Sequence, residues 1–503
     1  MRNIKAKVWF FVFALVLGGC RMMHDAKIPE TPIGLEHVNL TAHGNERFFD
    51  AKPVLSWWEK LEDEQLNFLI SWALEHNKDV RIALANLEEA RAAVRENQFD
   101  RFPAITSEAS YQRLRASEET AFAPVDPTYN NYEAGFNASW ELDLFGRVSA
   151  QIRSTQALSD MSLADLWGVY VFVAAETASN YVKLRGAQYR LDIARRNAEN
   201  QRETYELTKR LTEGGRGTQL DVSRALTQLE LTQSTIPALE AEVNALIHRL
   251  SVLTGQVPDA LRSVLGDVKP LPSIPVAVNL GDVSGLLKRR PDVAAARHGL
   301  AMVSAQYDAI AARQFPVVSL IGSIGFAATN LSNFGASALA ASVGPSVSWT
   351  AFDMGRVWAR MDQSDARVQR AVVEYEKSVL EALEDLQTAV SNFSKEEERR
   401  EFLQKAAQSS KESASLARAR YEAGVDTFID VLSAEATLLE AEDLLAQSEI
   451  NAIVGVISVY RALGGGWSVG VMGGQDERTD YREDPVVRVQ RIGMAGIVTP
   501  VVE

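Results

Sequence analysis

The stretch RVWARMDQSDARVQRAVVEYEKSVLEALEDLQTAVSNFSKEEERREFLQKAAQSSKESASLARARYEA, residues 356–423, contains neither Gly nor Pro. As one unbroken helix it would extend ~100 Å, several times the length of a globular helix. Apolar or small residues recur every seven positions in two companion series, a pattern typical of a coiled coil. An isolated dimeric coiled coil is the alternative, although it leaves the extended segments described below unexplained. The two series are Val372, Val379, Leu386 and Phe393, and Tyr375, Ala382 and Ala389.

The chain is a tandem repeat, because the same landmarks occur twice in the same order and at similar spacing. Each repeat predicts a helix, two extended segments, a very long helix, a turn and a returning helix. We assign the first repeat to 79–255 and the second to 292–464. Residues 256–291 form a linker between them, since their prolines break helices and strands. Matching landmarks are Asp79 and Asp292, Phe102 and Phe315, Trp140 and Trp349, Gly215 and Gly424, and Gly255 and Gly464.

The extended segments alternate between apolar and polar or small residues, which predicts strands with one buried face. Each is about ten residues long, as in a strand that crosses a membrane in a β-barrel. A soluble sheet is the alternative. Four strands cannot close a barrel, and an open edge in lipid leaves backbone groups unsatisfied. Membrane insertion therefore requires a trimer with a shared twelve-stranded barrel. One face carries Tyr132, Phe136, Ala138, Trp140 and Leu142, and in the second repeat Val318, Leu320, Ile324, Phe326, Val343, Val347 and Trp349.

The N-terminus has the pattern of a lipoprotein signal peptide, over residues 1–19. A basic start and a short apolar run precede Leu17-Gly18-Gly19-Cys20, which resembles the bacterial lipobox. Cys20 is the only cysteine, and we expect it to be acylated, with palmitate among the attached chains. An ordinary signal peptide with a chance cysteine is the alternative. Residue 21 is Arg; an Asp there would resemble an inner-membrane retention signal, so transfer to the outer membrane is expected.

Two further segments complete the domain plan. Residues 20–78 are interpreted as an N-terminal tether and equatorial segment. Residues 465–503 form a C-terminal tail to which no function is assigned.

Composition excludes several classes of function. Net charge is −14, which argues against nucleic acid as a partner because a phosphate backbone requires a basic surface. The six histidines are scattered without metal-ligand spacing, and no phosphate-binding loop or catalytic elbow occurs. The sequence predicts neither an enzyme nor a metal or cofactor site.

Five motifs together resemble one family, the TolC-like outer-membrane efflux proteins, and within it the OprM- and NodT-like lipoprotein branch. The resemblance covers nearly the whole mature chain. The motifs are Trp57-Trp58 with Leu66 and Leu69; Trp140-Glu141-Leu142-Asp143-Leu144-Phe145-Gly146-Arg147; Arg289-Arg290-Pro291-Asp292; Arg420-Tyr421-Glu422-Ala423-Gly424; and Tyr460-Arg461-Ala462-Leu463-Gly464-Gly465-Gly466-Trp467.

The resemblance implies a mainly α-helical homotrimer, with a long helical barrel joined to the twelve-stranded barrel. It implies a passive exit duct for drugs or other small molecules, lipid-anchored in the outer membrane and crossing the periplasm. A periplasmic adaptor (membrane fusion protein) and an inner-membrane pump would be its partners. A lipid-tethered coiled-coil scaffold without a pore, and an exit duct for secreted protein, remain alternatives. The sequence leaves open the cargo and the particular adaptor and pump.

Two turns, 213–222 and 422–431, would form the periplasmic tips. The residues suit such turns, since Gly215 and Gly424 permit the positive φ that ends a helix. Asp221 and Asp430 follow near the helix starts, where a carboxylate is favourable; capping is one role. In a trimer each also gives a ring of three carboxylates. The resemblance makes Asp221, Asp430, Asp426 and Tyr421 aperture residues, and Gly215, Thr218, Leu220, Gly424, Val425 and Thr427 adaptor contacts.

The aperture pattern departs from TolC at two positions. Asp426 stands where the family has a basic latch residue, and Ser433 where it has a second aspartate. The closed state must therefore use other salt bridges, and Arg216 or Arg224 is expected to supply the opposing charge.

Overall fold

The computed structural model describes residues 48–49, 56–117, 128–280 and 283–465. The predicted signal peptide, Cys20 and the tail beyond Gly465 lie outside these residues. The helices are α1 (Glu64–His76), α2 (Lys78–Phe99), α3 (Arg147–Glu213), α4 (Gln219–Leu253), α5 (Arg262–Leu265), α6 (Val283–Arg289), α7 (Pro291–Ala311), α8 (Met354–Glu422) and α9 (Phe428–Ala462). The strands are β1 (Phe48–Phe49), β2 (Ala104–Arg115), β3 (Thr128–Glu141), β4 (Val278–Asn279), β5 (Val317–Ala328) and β6 (Leu339–Ser348).

The element order is repetitive: α2, β2, β3, α3 and α4 are followed by α7, β5, β6, α8 and α9. The long helices α3 and α8 contain 67 and 69 residues, about 100 Å each. The chain forms two compact units, described here separately. The sheet unit consists of the described residues within 86–163 and 295–377. The helical unit consists of those within 48–85, 164–294 and 378–465.

The sheet unit contains one four-stranded antiparallel sheet in the order β2-β3-β5-β6. The register places Phe136 opposite Ile324 and Trp140 opposite Leu320. β2 and β6 are the two edge strands, and neither has a further partner among the described residues. At one end of the sheet the strands join α2, α3, α7 and α8 closely, and at the other they lead into the hairpin connections.

The pleat of this sheet separates two chemically different faces. Its apolar face is strongly exposed in one protomer, with Ile105 at 70% and Val343 at 80%. The side chains of this face include Ile105, Tyr111, Tyr132, Phe136, Trp140, Leu320, Ile324, Phe326, Leu339, Val343 and Val347. Glu108, Glu133, Asn137, Ser323 and Ser342 lie on the opposite, polar face.

Two repeat-related indole hydrogen bonds fix the helix-joined end of the sheet. The Trp140 Nε1–H donates to the Arg101 carbonyl oxygen at 2.9 Å, and the Trp349 Nε1–H to that of Gln314 at 3.0 Å. Each tryptophan thereby ties a strand end to the chain just past the preceding helix.

Leu142, expected on the apolar strand face, follows β3 directly and donates its N–H to the Val318 carbonyl oxygen at 3.0 Å.

Small residues allow the helices of the helical unit to pack closely. Gly186 lies within the continuous helix α3, where a Cβ would come 2.2 Å from Ile450 Cδ1 on α9. Val173, Ala178 and Val182 of α3 are also buried. α3 alone among the described helices is long and apolar enough by composition to span a membrane.

Two buried arginines anchor the linker between the repeats. Arg185 is fully buried and donates to the Gln65 and Gln188 side chains and to the Asp267 carbonyl oxygen, at 2.6–2.7 Å. Arg290 is paired with Asp292 at 2.6 Å and Asp385 at 3.0 Å. Because a buried guanidinium requires such partners, each arginine fixes its segment of the linker against long helices. Arg185 holds the linker at Leu265 and Asp267, whereas Arg290 is itself a linker residue whose partners Asp292 and Asp385 lie in the second repeat.

Candidate functional site

Two turns in the helical unit join long helices to returning ones. We call 213–222, between α3 and α4, the first tip, and 422–431, between α8 and α9, the second tip. Gly215 and Gly424 adopt φ of 73° and 75°. In the first tip, Arg216 N donates to Leu211 O at 2.8 Å; in the second, Val425 N donates to Arg420 O at 2.9 Å. Each long helix therefore ends in the same glycine-dependent Schellman motif.

Each returning helix begins with a threonine and an aspartate that bond to each other. Thr218 Oγ1 donates to Asp221 Oδ2 at 2.6 Å, and the Asp221 N–H donates back to Thr218 Oγ1 at 3.2 Å. Thr427 Oγ1 and N donate to Asp430 Oδ2 at 2.5 and 3.0 Å. The capping role considered for both aspartates is therefore present within one protomer, at a helix end that also favours a negative charge.

The basic partner of Asp426 comes from its own long helix. Arg420 Nε and Nη2 donate to the two carboxylate oxygens at 2.6 and 2.9 Å, a bidentate pair. The hydrogen bond and charge of Arg420 lower the pKa of the Asp426 carboxyl. Within one chain Asp426 is therefore paired with Arg420, and the role expected for Arg216 or Arg224 in the closed aperture stays a prediction. Arg224 instead lies 3.9 Å from Asp221.

Arg420 belongs to one of the five sequence motifs, but the sequence assigned it no role. The geometry of the turn would have predicted its contact with Asp426. A Schellman turn folds the residues after the glycine back toward the last helical turn, so an arginine four residues before Gly424 and an aspartate two after it come together.

Apolar side chains at the tips remain exposed in the protomer. Leu220 is 58% exposed, Val425 66% and Ile429 51%. The rings of Tyr421 and Phe428 lie 5.6 Å apart across the second tip. An exposed apolar group of this kind at the end of a coiled-coil hairpin is suited to contact another protein.

A polar cluster above the second tip links three helices and was missed by sequence reasoning. Glu435 of α9 accepts a hydrogen bond from Thr204 Oγ1 of α3 at 2.9 Å. Arg418 of α8 donates to the same hydroxyl at 3.0 Å. Burial raises the pKa of Glu435, although the threonine bond and the Arg418 charge oppose the shift. No pattern marked this cluster, since its residues stand far apart in sequence.

The polar face of the sheet carries acidic charge only. Its charged side chains are Glu108, Glu133 and Glu141. Asn137 donates to Glu108 at 3.2 Å, and Asn131 donates to Glu133 at 2.8 Å. Within the described residues no group of three or more His, Cys, Asp and Glu side chains is placed to hold a metal ion.

A family model described as "Outer membrane efflux protein" matches residues 69–256 and 283–465, well over half of the chain. The chain belongs to the outer membrane efflux protein family. Each matched segment of this efflux protein holds one long-helix hairpin with its tip and one pair of strands.

Characterised relatives align over most of their length. The toluene efflux pump outer membrane protein TtgC of Pseudomonas putida is 27% identical over 464 residues, 91% of this chain and 94% of the relative. The cation efflux system protein CusC of Escherichia coli is 28% identical over 462 residues, 91% and 98% respectively. The solved outer-membrane channel OprN is 39% identical, with a TM-score of 0.84 over 89% of this chain and all of OprN.

These findings confirm the family, the outer-membrane localisation and the class of function inferred from the sequence. The efflux protein is an outer-membrane transport component of an efflux system, a duct and not an enzyme.

Proposed function

We propose that three copies of this efflux protein form a continuous exit duct, with a shared barrel of twelve strands in the outer membrane. The observation that carries the proposal is a sheet with two open edges and one exposed apolar face. Lipid tolerates such a face but not unpaired backbone groups at its edges, so the edges must pair between copies.

The register shows that the open edges suit each other. The Leu142 N–H donates to the Val318 carbonyl oxygen. Because backbone groups alternate in direction along a strand, the backbone hydrogen bonds of even-numbered β5 residues run toward β3 and those of odd-numbered residues toward β6. On the open edge of β6, the outward backbone groups belong to odd-numbered residues, including Val343. On β2 they also belong to odd-numbered residues, including Tyr111. Both sets carry side chains of the apolar face, so antiparallel pairing of β6 with a second copy's β2 continues that face.

Aromatic residues mark the height of the membrane band. Trp140 and Tyr132 stand eight residues apart on the apolar face of β3, ~26 Å along the strand. At the ~40° strand tilt of outer-membrane barrels this is ~20 Å of height, within their ~25 Å apolar band, and aromatic side chains prefer its two interfaces. The hairpin connections then face the exterior, and the helices leave on the periplasmic side.

The second part of the proposal concerns the tips and the anchor. Asp221, Asp430, Asp426 and Tyr421 surround the periplasmic aperture. A periplasmic adaptor contacts Gly215, Thr218, Leu220, Gly424, Val425 and Thr427 and links the duct to an inner-membrane pump. Acyl chains on Cys20 anchor each protomer. In this domain plan the signal peptide, 1–19, is removed, and the tether and equatorial segment follows at 20–78. The two repeats are 79–255 and 292–464, and the linker 256–291 joins them. The tail is 465–503.

The acidic polar face would line the barrel interior. Three copies would place Glu108 and Glu133 as six carboxylates in its wall, which favours cations and neutral molecules over anions. The relatives named above are a toluene efflux protein and a cation efflux protein. We propose drugs or other small molecules as the cargo class.

Planar-bilayer conductance of the detergent-extracted protein, with its mass measured on the same sample, tests the proposal. Discrete openings from a particle of three chains are expected. A silent particle that is not trimeric would contradict the duct and leave the tethered scaffold. If the trimer is silent, the test is repeated with Arg420→Ala/Asp426→Ala, and continued silence counts against the pore.

A further inference from the structure

The apolar face of the sheet carries only two charged side chains, and both are basic. Arg113 and Arg115 are the last two residues of β2 on that face, next to the hairpin connection. No Asp or Glu occurs on this face in any of the four strands. On the opposite face all charged residues are acidic, so the sheet separates charge completely by side.

The pair lies just beyond the aromatic boundary of the apolar band. Tyr111 and Tyr132 pair across β2 and β3, with ring centroids 4.9 Å apart. The Tyr111 hydroxyl donates to Asn130 Oδ1 at 3.2 Å, so polar contacts begin at this level. Arg113, opposite Asn130, is one pleat further along, ~7 Å beyond Tyr111. This is the depth at which lipid headgroups meet a barrel.

The two guanidinium groups are placed to bind together. Residues two apart on a strand project from the same face with a spacing of ~7 Å, and both side chains are exposed. Neither Arg113 nor Arg115 has a carboxylate in ion-pair distance among the described residues. Arginine binds phosphate through two parallel N–H donors, which makes two neighbouring exposed arginines suited to a phosphate.

The second hairpin has no equivalent. At the matching distance from its helix, β5 has Phe326 and Ala328 on the apolar face. The basic pair therefore occurs once per copy, on the edge strand that would adjoin the next copy.

We propose that Arg113 and Arg115 form a binding site for the phosphate groups of a phosphorylated glycolipid in the outer leaflet of the outer membrane. The inference rests on the proposed function, since the barrel sets which leaflet faces the pair. A lipid phosphate is the occupant that the position favours, because its acyl chains would lie along the apolar face while its phosphate meets the arginines. A trimer would hold three such sites.

The test is native mass spectrometry of the detergent-extracted full-length protein titrated with lipid A carrying two phosphates, one phosphate or none. The variant is Arg113→Gln/Arg115→Gln. Its matched control is Arg360→Gln/Arg367→Gln, which removes the same charge from exposed positions on α8. Arg113→Lys/Arg115→Lys keeps the charge but loses the two-pronged donor.

We expect wild type and the α8 control to retain diphosphorylated lipid A, and Arg113→Gln/Arg115→Gln to bind it roughly tenfold or more weakly. The lysine variant is expected to lie between them. Equal binding of the dephosphorylated lipid by wild type, or unchanged binding by the glutamine variant, overturns the site. If the glutamine variant fails to assemble, the phosphate series on wild type decides. The trimer mass appears in the same spectra, so failure of the proposed assembly is seen separately from failure of lipid binding.

Discussion

The two tips share their caps but differ in what holds the turn. Both end the long helix with a left-handed glycine and start the next with a Thr–Asp pair. At the position of Asp426 in the second tip, the first tip has Gly217. A Cβ at Gly217 would lie 2.6 Å from Thr212 Oγ1 and 3.2 Å from Thr212 N. The second tip instead carries the bidentate Arg420–Asp426 pair.

The same type of turn is therefore stabilised in two different ways. The first tip depends mainly on close packing at Gly217, and its one ion pair, Arg224–Asp221, is long at 3.9 Å. The second adds an exposed ion pair and, above it, the half-buried Glu435, both of which respond to the medium. We infer that the second tip is the more responsive of the two.

The largest effect is expected at Gly217. Gly217→Ala forces a side chain against Thr212 and should destabilise the first tip by about 1–3 kcal/mol. Hydrogen exchange of amides 214–222 measures it, with amides 423–431 as an internal reference. Gly214→Ala is the matched control, since a Cβ there meets only ordinary contacts beyond 3.4 Å. Equal protection in both variants would contradict the packing argument.

Removing the caps should affect both tips alike. Thr218→Ala removes the side-chain acceptor of the Asp221 N–H, and Thr427→Ala removes a hydroxyl donor to the Asp430 carboxylate, each at a cost of about 1 kcal/mol. Exchange rates of the first-turn amides of α4 and α9 report it. Thr227→Ala, in the body of α4, is the control. A change in exchange rate at only one tip would show that the two threonines contribute different stabilisation free energies.

A smaller, pH-dependent effect is expected above the second tip alone. Because burial raises the pKa of Glu435 over its ordinary value of 4.5, protonation stabilises the folded cluster. That contribution is complete below pH 4.5 and is lost as pH rises through the folded-state pKa. Glu435→Gln should therefore raise the thermal midpoint near neutral pH and flatten its pH dependence, relative to Glu440→Gln on the same helix. The position matching Glu435 in the first repeat is Leu226, which cannot titrate.

The smallest effect on stability is expected at the ion pair itself. Asp426→Asn removes an exposed pair, and such pairs contribute little in water. Since Arg420 lowers the pKa of Asp426, the pair is intact at neutral pH and is lost only as pH falls through that lowered value. Exchange of amides 423–431 should become less salt-dependent in the variant. An unchanged salt dependence would show that the Arg420–Asp426 ion pair does not stabilise the second tip.

Much of this fold could be predicted because its signals are local and periodic. The seven-residue series that includes Val379 and Leu386 marks α8, and the alternation around Ile324 marks β5. Gly215 and Gly424 mark the turns because left-handed φ selects glycine. The contacts of Arg420 and Glu435 were not predicted, because the turn sets the partner of Arg420 and the packing of helices distant in sequence sets that of Glu435. The packing of Gly186 against Ile450 also joins residues far apart in sequence, which no local pattern marks.

We propose that the tips form the narrow, carboxylate-lined end of a trimeric duct. Single-channel recording with a trivalent hexaammine cation, added to one side at a time, is the direct test. Asp430→Asn is the variant, since asparagine can still cap α9 while the charge is lost; Thr427→Ala, which weakens the cap but keeps the charge, is its control. We expect the cation to block the channel from the tip side only. The block should be weaker in Asp430→Asn and unchanged in Thr427→Ala. Block from the loop side, or block unchanged in Asp430→Asn, would contradict this proposal.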